Sequence, residues 1–298
     1  MLLGLALVCV AAVSWGTTGS VMALLAREGT PSPLLVGWAR MAGAAPCLVL
    51  ATFLTRPGSP RFGGGWPPRD WAKAALLGIA MAAYQLCYFW AVPRTGVALT
   101  ALLAICSAPI MITAGAALTL KERPARSTLL ALLLAVSGTA MVVLGPRAAG
   151  GAPPEFAAGA IAAVGAGLSY AVYAVTAKGL LRRAAPLSLA AMTFTLAALL
   201  LTPVLAIERD ALTQLAAGWP LLVYLGLVPT AAAYVIFGAG LRRVTATAAG
   251  IATLLEPLTA AGLGVLAFGE RLGAMGWAGA ALLLAALALL ARSGSGRQ

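Results

Sequence analysis

The sequence predicts an all-α integral membrane protein with ten transmembrane helices, arranged as two inverted five-helix repeats around a central cavity. Composition is the first observation behind this prediction, since 61% of the residues are hydrophobic, 9% are charged and the mean hydropathy is +0.96. A soluble domain is about 45–50% apolar and about 25% charged. The chain therefore has more apolar surface than a water-exposed fold can bury.

The second observation is the length of the apolar runs. About 20 apolar residues cross a bilayer as a helix, and the predicted spans lie near 3–26, 32–54, 71–93, 96–120, 126–145, 156–180, 187–206, 217–241, 246–269 and 273–292. The first run lacks a basic n-region and is long enough to cross, so we interpret it as a span and not as a signal peptide. The longest connections, near 55–70, 146–155 and 207–216, leave little sequence for a soluble domain.

The third observation is an internal repeat. Residues 107–123 (SAPIMITAGAALTLKER) and 255–271 (LEPLTAAGLGVLAFGER) correspond at an offset of 148. The matched pairs are Pro109 and Pro257, Leu118 and Leu266, Glu122 and Glu270, Arg123 and Arg271, and upstream Phe89, Ala91 and Arg94 with Phe237, Ala239 and Arg242. Repetition at half the length of a membrane chain is typical of transporters.

The repeat divides the chain into residues 1–147 and 148–298, each with five spans. Two halves with an odd number of spans must have opposite orientations in one membrane. We therefore expect a pseudo-two-fold axis in the membrane plane and a substrate site near mid-depth, where the halves meet.

The charged residues orient the predicted spans. Placing the N-terminus in the cytoplasm puts 14 of the 20 basic residues on that side: Arg56, Arg61, Arg69, Lys73, Lys121, Arg123, Arg126, Lys178, Arg182, Arg183, Arg242, Arg243, Arg292 and Arg297. The other side receives Arg27, Arg94, Arg147, Arg209 and Arg271, with five acids, Glu28, Glu155, Glu208, Asp210 and Glu270. This is the positive-inside bias. It predicts cytoplasmic termini and explains the net charge of +12 without nucleic-acid binding.

Several functional classes lack the residues that they require. The chain has no histidine, and its four cysteines lie in apolar runs at no metal-ligand spacing, so we expect free thiols, no metal site and no cofactor. No phosphate-binding loop and no deep catalytic group is evident, which argues against ATP coupling and against an intramembrane enzyme. The expected partners are a small-molecule substrate and membrane lipid, with no obligatory protein partner.

The candidate site consists of polar and aromatic residues predicted at mid-depth. The substrate-binding candidates are Trp15, Tyr84, Gln85, Tyr88, Ser107, Tyr170, Tyr173, Tyr234 and Glu256, and the hinge or gating candidates are Gly16, Pro109 and Pro257. Aromatic residues usually lie at membrane interfaces. Each one by itself is compatible with packing between helices, but their convergence on one depth favours a cavity.

Glu256 is the only acidic residue well inside an apolar run. A charge at the centre of a membrane helix costs about 2.5–3.5 kcal/mol on insertion scales, so it indicates a functional site by default. One hypothesis is that Glu256 binds a substrate ammonium or carries a coupling proton. The alternative is that a neutral Glu256 bonds carbonyls freed by Pro257. The matching residue in the first half is Ala108, so the carboxylate is not part of the shared pattern.

Two further groups have structural and functional interpretations. Arg40, two turns into the second span, is expected to cap carbonyls or extend to the interface, and the functional alternative is that it binds a substrate carboxylate or Glu256. The Glu-Arg pairs that close the fourth and ninth spans are expected to cap helix ends or to form ion pairs at the membrane interface, and a role as hinges is a further alternative. Small residues predict close helix packing at Gly159, Ala163 and Gly167, and at Gly262 and Gly264.

Taken together, these motifs resemble the EamA type of the drug/metabolite transporter superfamily, and within it the aromatic amino acid exporters. The resemblance covers essentially the whole chain. It implies a ten-helix basket with a central cavity that exports amino acids, with aromatic or other apolar side chains, and related metabolites by alternating access. The alternative is an exporter of another class, such as drugs, sugars or nucleotide sugars. Either function implies a multi-pass protein of the cell membrane, the inner membrane in a bacterium.

Overall fold

A computed structural model describes residues 1–27, 32–55, 66–144, 155–269, 271 and 273–295. In this part of the chain all regular structure is helical, and ten spans are long and apolar enough to cross a membrane. The first six are α1 (Leu2–Arg27), α2 (Pro33–Leu54), α3 (Pro68–Thr95), α4 (Val97–Thr119), α5 (Arg126–Leu144) and α6 (Phe156–Leu180). The predicted multi-pass membrane fold is therefore confirmed.

The last four spans are less regular. The seventh is α7 (Pro186–Leu201) followed by α8 (Val204–Ile207), and a short helix, α9 (Ala211–Ala217), precedes the eighth. The eighth span consists of α10 (Trp219–Gly226), a π-helical segment (Leu227–Ala232) and α11 (Ala233–Leu241). The ninth is divided into α12 (Ala246–Ala252) and α13 (Leu255–Phe268), and the tenth is α14 (Ala274–Ser295).

Some predicted features lie outside the described residues. These are the boundary between residues 147 and 148, and the side chains of Glu28, Arg56, Arg61, Arg147, Glu270 and Arg297.

The connection predicted near 207–216 contains a helix, which the sequence reasoning did not predict. Asp210 adopts a left-handed backbone conformation, φ 53°, and α9 follows it directly. Ala211 and Leu215 pack against Leu35 and its neighbours in α2, and the Gln214 carboxamide accepts a hydrogen bond from the Ser32 amide, 2.9 Å. Tertiary burial explains why so short a segment is helical.

Large apolar side chains cover the outer surface of the bundle, as expected for contact with lipid. Leu118 in α4 and Leu266 in α13, which the repeat matches, are 82% and 86% exposed. Ile161 and Leu199 are also well exposed on other spans. Exposed apolar surface of this extent would be unfavourable in water.

The main contacts each join a span of the first half to a span of the second half, and the symmetry of the repeat relates these contacts to one another. The third span packs on the sixth and the eighth on the first, while the second packs on the seventh and the fifth on the tenth. A Cβ atom on Gly78 would lie 2.7 Å from Leu196, and one on Gly226 would lie 3.3 Å from the backbone of Gly43. Gly226 follows Gly78 by 148 residues, and Leu196 follows Gly43 by 153, so these two contacts are equivalent in the predicted repeat.

Glycines also allow close backbone approach at other crossings. Gly138 in α5 and Gly279 in α14 face each other, since a Cβ on either would lie 2.5–2.7 Å from the other carbonyl oxygen. The expected close packing is confirmed at Gly159, which faces the end of α3, and at Gly167, which faces Ser107 in α4. It is wrong for Gly262, because a Cβ there would have no neighbour within 4 Å.

Candidate substrate-binding site

A cavity of about 560 Å³ lies between the two halves. Its volume falls in the range of small-molecule sites. The predicted residues that line it are Trp15, Gly16, Tyr84, Gln85, Tyr88, Tyr170, Tyr234, Glu256 and Pro257, together with Arg40. These residues come from both halves and from six spans, so only the folded bundle assembles the cavity.

Three of the predicted site residues do not line the cavity. Ser107 lies on the face of α4 turned toward Gly167 in α6, and its hydroxyl donates to the Ala104 carbonyl, 3.2 Å. Tyr173 packs behind Tyr170 and Tyr234. Pro109 is absent from the wall because Ala101, Ala104, Ile105 and Ala108 form the cavity face of α4.

The aromatic residues form one continuous cluster. Tyr84 stacks on Tyr88 with ring centroids 5.7 Å apart, and it lies 6.1 Å from Tyr170. Trp15 contacts Tyr170 at 6.2 Å and Tyr234 at 4.8 Å. These distances are typical of favourable aromatic pairs. The rings give the cavity apolar walls with polar edges.

Some polar atoms at this wall have no hydrogen-bond partner among the described residues. Trp15 Nε1, Tyr170 Oη and Thr18 Oγ1 are buried in this way, and all three residues line the cavity. An unpaired buried donor or acceptor costs about 1–3 kcal/mol. A polar ligand in the cavity would supply partners for these groups.

The ninth span is interrupted where it passes the cavity. The Leu254 amide bonds the Ile251 carbonyl at 3.1 Å, and the Glu256 amide bonds the Thr253 carbonyl at 3.0 Å. These i to i−3 bonds replace the α-helical pattern and end α12. Glu256 therefore lies in the first turn of α13, where the helix dipole favours a negative charge.

The Glu256 carboxyl group is partly buried and faces the cavity. In the described part of the chain it makes no hydrogen bond and no ion pair. The bond between a neutral carboxyl and carbonyls near Pro257, which the structural hypothesis requires, is therefore not observed.

Arg40 is 8% exposed and is fixed by the eighth span. Its Nε donates to the Thr230 hydroxyl at 3.3 Å, and that hydroxyl donates to the Leu225 carbonyl at 2.7 Å. Pro229 has no amide hydrogen for this carbonyl, and the surrounding turn is π-helical. The capping role expected for Arg40 is wrong in detail, because its partner is a side-chain hydroxyl.

Gly16, a predicted hinge, lies at a close crossing of the first and ninth spans. A Cβ on Gly16 would be 2.6 Å from Thr259 Cβ and 2.7 Å from the Glu256 carbonyl oxygen. Real Cβ atoms do not approach so closely, so glycine is required by packing. Gly16 thereby brings the first span against the start of α13.

The lining residues of the cavity that lie away from mid-depth are grouped toward one end of the described bundle. The outer wall of the cavity consists of residues near the ends of the first, third, fifth and ninth spans: Gly19, Met22, Phe89, Val92, Val142, Val143, Ala261, Val265 and Arg271. In the predicted topology this end faces away from the cytoplasm.

At the opposite end of the bundle, polar side chains bind the connection between the eighth and ninth spans. Lys178 Nζ donates to the carbonyls of Leu241, at 2.7 Å, and Val244. The Glu122 carboxylate accepts from the Ala246 amide at 2.9 Å and from Thr247. Glu122 therefore binds amides at the start of α12, which is a different helix from the one that it follows in the chain.

The sequence reasoning missed several residues of this region. Phe194 and Phe237 pack against Tyr234 or Trp15 and support the cluster, and Met22, Met41 and Met81 line the cavity. Phe237 was already matched to Phe89 in the repeat. The methionines carried no such signal, since an apolar residue in an apolar span does not reveal its direction.

The described residues contain no group of three or more histidine, cysteine, aspartate or glutamate side chains placed to hold a metal ion. The four cysteines are free thiols.

Comparison with known proteins identifies the family. The model of the EamA-like transporter family matches residues 2–144 and 157–292. The uncharacterized transporter YwfM of Bacillus subtilis is 35% identical over 290 residues, 95% of this chain and 92% of the relative. A probable terminal-alkyne amino-acid exporter of Streptantibioticus cattleyicolor is 28% identical over 232 residues, 77% and 76% of the two chains.

A solved crystal structure has the same fold, with a TM-score of 0.79 and 21% identity over 97% of this chain and 98% of that chain. The matches to the family model and to YwfM span nearly the whole described sequence. The chain is therefore a multi-pass membrane transporter that belongs to the EamA-like transporter family.

Proposed function

We propose that the protein is a secondary transporter that exports amino acids with aromatic or other apolar side chains, and related small metabolites, across the cytoplasmic membrane. The observation that carries this proposal is the cavity of about 560 Å³, where six aromatic residues of both halves line the same space as Glu256 and Arg40. Aromatic walls suit an apolar side chain, and the two charges suit the polar groups of an amino acid.

The kind of substrate has independent support. The Streptantibioticus cattleyicolor relative is described as a probable exporter of a terminal-alkyne amino acid. A sugar-phosphate carrier would favour several cationic residues in its cavity, and in the described chain only Arg40 and Arg271 line this one. The composition of the wall thus favours an amino acid over a highly anionic substrate.

Alternating access is proposed on the basis of the two halves. The family model matches twice, and the pairs Gly78 with Leu196 and Gly226 with Gly43 are equivalent under the sequence offsets. These features support two repeats, which their odd number of spans makes inverted, and the distribution of basic residues supports cytoplasmic termini. Two similar halves of opposite orientation can exchange conformations and open the same site to either side.

In this scheme the described conformation is open to the outside. The cavity lining extends toward the end that the charge distribution assigns to the exterior, and Lys178 and Glu122 bind the 241–247 connection at the other end. Release of these contacts would accompany opening toward the cytoplasm.

Counterflow in liposomes tests the proposal. Purified protein is reconstituted in vesicles loaded with unlabelled phenylalanine, and entry of labelled phenylalanine is measured against vesicles without protein. We expect accumulation that tyrosine and tryptophan inhibit. Failure of every amino acid to exchange, with the protein intact by gel filtration, would refute the proposed substrate class. Repeating the assay with a pH gradient distinguishes proton coupling from facilitated diffusion.

A further inference from the structure

The cavity contains two opposite charges that do not neutralise each other. Arg40 and Glu256 both line it, yet they form no ion pair, since no nitrogen of Arg40 lies within 4.0 Å of a Glu256 oxygen. Leaving both charges unpaired in the membrane interior is costly. A direct salt bridge would lower this cost, so its absence requires an explanation.

Arg40 and Glu256 each have side-chain atoms that form no hydrogen bond with the described residues. The Arg40 guanidinium is held by one edge, through Nε and Thr230, and its Nη groups have no partner in the described part of the chain. Two nitrogens on the same side of a guanidinium are the usual donors to a carboxylate. Glu256 likewise accepts no bond from the described residues, and it lies in the first turn of α13.

The same rings lie near both charges. Tyr84, Tyr88 and Tyr234 line the same cavity as Arg40 and Glu256. A ligand between the two charges therefore contacts aromatic faces as well. A molecule that carries an ammonium, a carboxylate and an apolar side chain on adjacent atoms matches this arrangement.

We propose that Arg40 and Glu256 bind the two ends of a zwitterionic α-amino acid, Arg40 its carboxylate and Glu256 its ammonium, while its side chain contacts the tyrosines. Thr230 is a positioning residue, because its hydroxyl links Arg40 to the carbonyl that Pro229 leaves free. This inference rests on the proposed function and adds the recognition of the amino-acid backbone to it.

Ligand analogues that each lack one charge test the proposal. Binding of phenylalanine, phenylalaninamide and 3-phenylpropionate to the purified full-length protein is measured by thermal shift and by competition with labelled phenylalanine. We expect phenylalanine to bind about tenfold more tightly than either analogue, since each lost charged hydrogen bond has about that effect.

The two variants should give opposite patterns. Arg40→Gln should weaken phenylalanine and 3-phenylpropionate about tenfold and leave phenylalaninamide unchanged. Glu256→Gln should weaken phenylalanine and phenylalaninamide and leave 3-phenylpropionate unchanged. Each variant also contains its own folding control. One analogue must bind the variant as tightly as it binds the unmodified protein.

Two results overturn the proposal, and they differ in what they say about function. If phenylalanine exchanges in liposomes but both variants weaken all three ligands equally, the backbone recognition is wrong and the transport function stands. If the unmodified protein neither exchanges phenylalanine nor binds any of the three ligands, the recognition and the proposed function fail together.

Thr230 gives a separate test of positioning. Thr230→Val removes the hydroxyl at constant shape and should lower affinity for phenylalanine about threefold without changing that for phenylalaninamide. Thr230→Ser retains the hydroxyl and should therefore keep the affinity for phenylalanine of the unmodified protein. Equal losses for both ligands in Thr230→Val, or no rescue by serine, would show that Thr230 acts only on packing.

Discussion

The fourth and ninth spans carry the two copies of the repeated segment, and they differ at the same place. The fourth crosses as one helix, Val97–Thr119, although it contains Pro109. The ninth is broken between Ala252 and Leu255, just before Glu256 and Pro257. The two spans thus have a proline at the same repeat position, yet the helix is continuous in the first half and broken in the second.

This difference shows that proline alone does not decide where a membrane helix opens. Pro109 removes one backbone bond, yet α4 continues, with Ala108 on its cavity face and Ser107 packed on α6. At the break in the ninth span, Gly16 of the first span approaches the Glu256 carbonyl, and the Thr253 hydroxyl donates to the Gly250 carbonyl at 2.7 Å. Helix contacts and local hydroxyl bonds complete the interruption that proline permits.

The carboxylate that distinguishes the ninth span should matter most. Glu256→Gln is expected to reduce phenylalanine counterflow at least about tenfold, because it removes the anionic partner of a substrate cation. Glu155→Gln is the matched control, since Glu155 pairs with Arg94 at 2.8 Å and does not line the cavity. Unchanged counterflow, and unchanged pH dependence, in Glu256→Gln would remove Glu256 from the site.

The two prolines should differ in their effect on transport. Pro257→Ala restores an amide hydrogen where the span is already interrupted, so it favours a continuous helix and moves Glu256; we expect counterflow to fall about tenfold, equivalent to about 1.4 kcal/mol. Pro109→Ala should change it less than about twofold, because α4 is continuous. Equal losses in the two variants would indicate that both prolines are hinges.

Close packing against the ninth span predicts a difference in stability. Gly16→Ala places a Cβ 2.6 Å from Thr259 and should lower the free energy of unfolding by about 1–3 kcal/mol. Gly262→Ala, where nothing lies within 4 Å, should be neutral or stabilising by up to about 1 kcal/mol. Thermal unfolding in detergent measures both. A Gly16→Ala protein as stable as Gly262→Ala would contradict the close crossing.

The smallest expected effect concerns the residues that end the two spans. Lys121 and Gly269 are equivalent, and both have positive φ, 57° and 67°. Because a non-glycine residue is strained there by about 1–2 kcal/mol, and glycine costs about 0.5–1 kcal/mol of chain entropy, Lys121→Gly should stabilise by about 0.5 kcal/mol. Gly269→Ala should destabilise by a similar or larger amount. The same unfolding assay checks the sign of each change.

Much of the site was predictable because of its unusual chemistry in a membrane. Trp15, Tyr84, Tyr170 and Glu256 stood out as polar or aromatic groups at mid-depth, and all four line the cavity. Ser107 and Tyr173 fitted the same criterion and do not. Depth follows from sequence position, whereas the direction of a side chain depends on how its helix is rotated against its neighbours.

The sequence by itself determined that the chain crosses a membrane, how many times, and that its two halves share a pattern, because these properties depend on composition and spacing. Only the tertiary structure decided the rest. It placed the break before Glu256, it formed the π-helical turn through which Thr230 holds Arg40, and it brought Glu122 and Lys178 into contact with the connection between the eighth and ninth spans. These features depend on contacts between residues far apart in the chain, 190 positions for Arg40 and Thr230 and more for Gly16 and Glu256, and the local sequence does not reveal such partners.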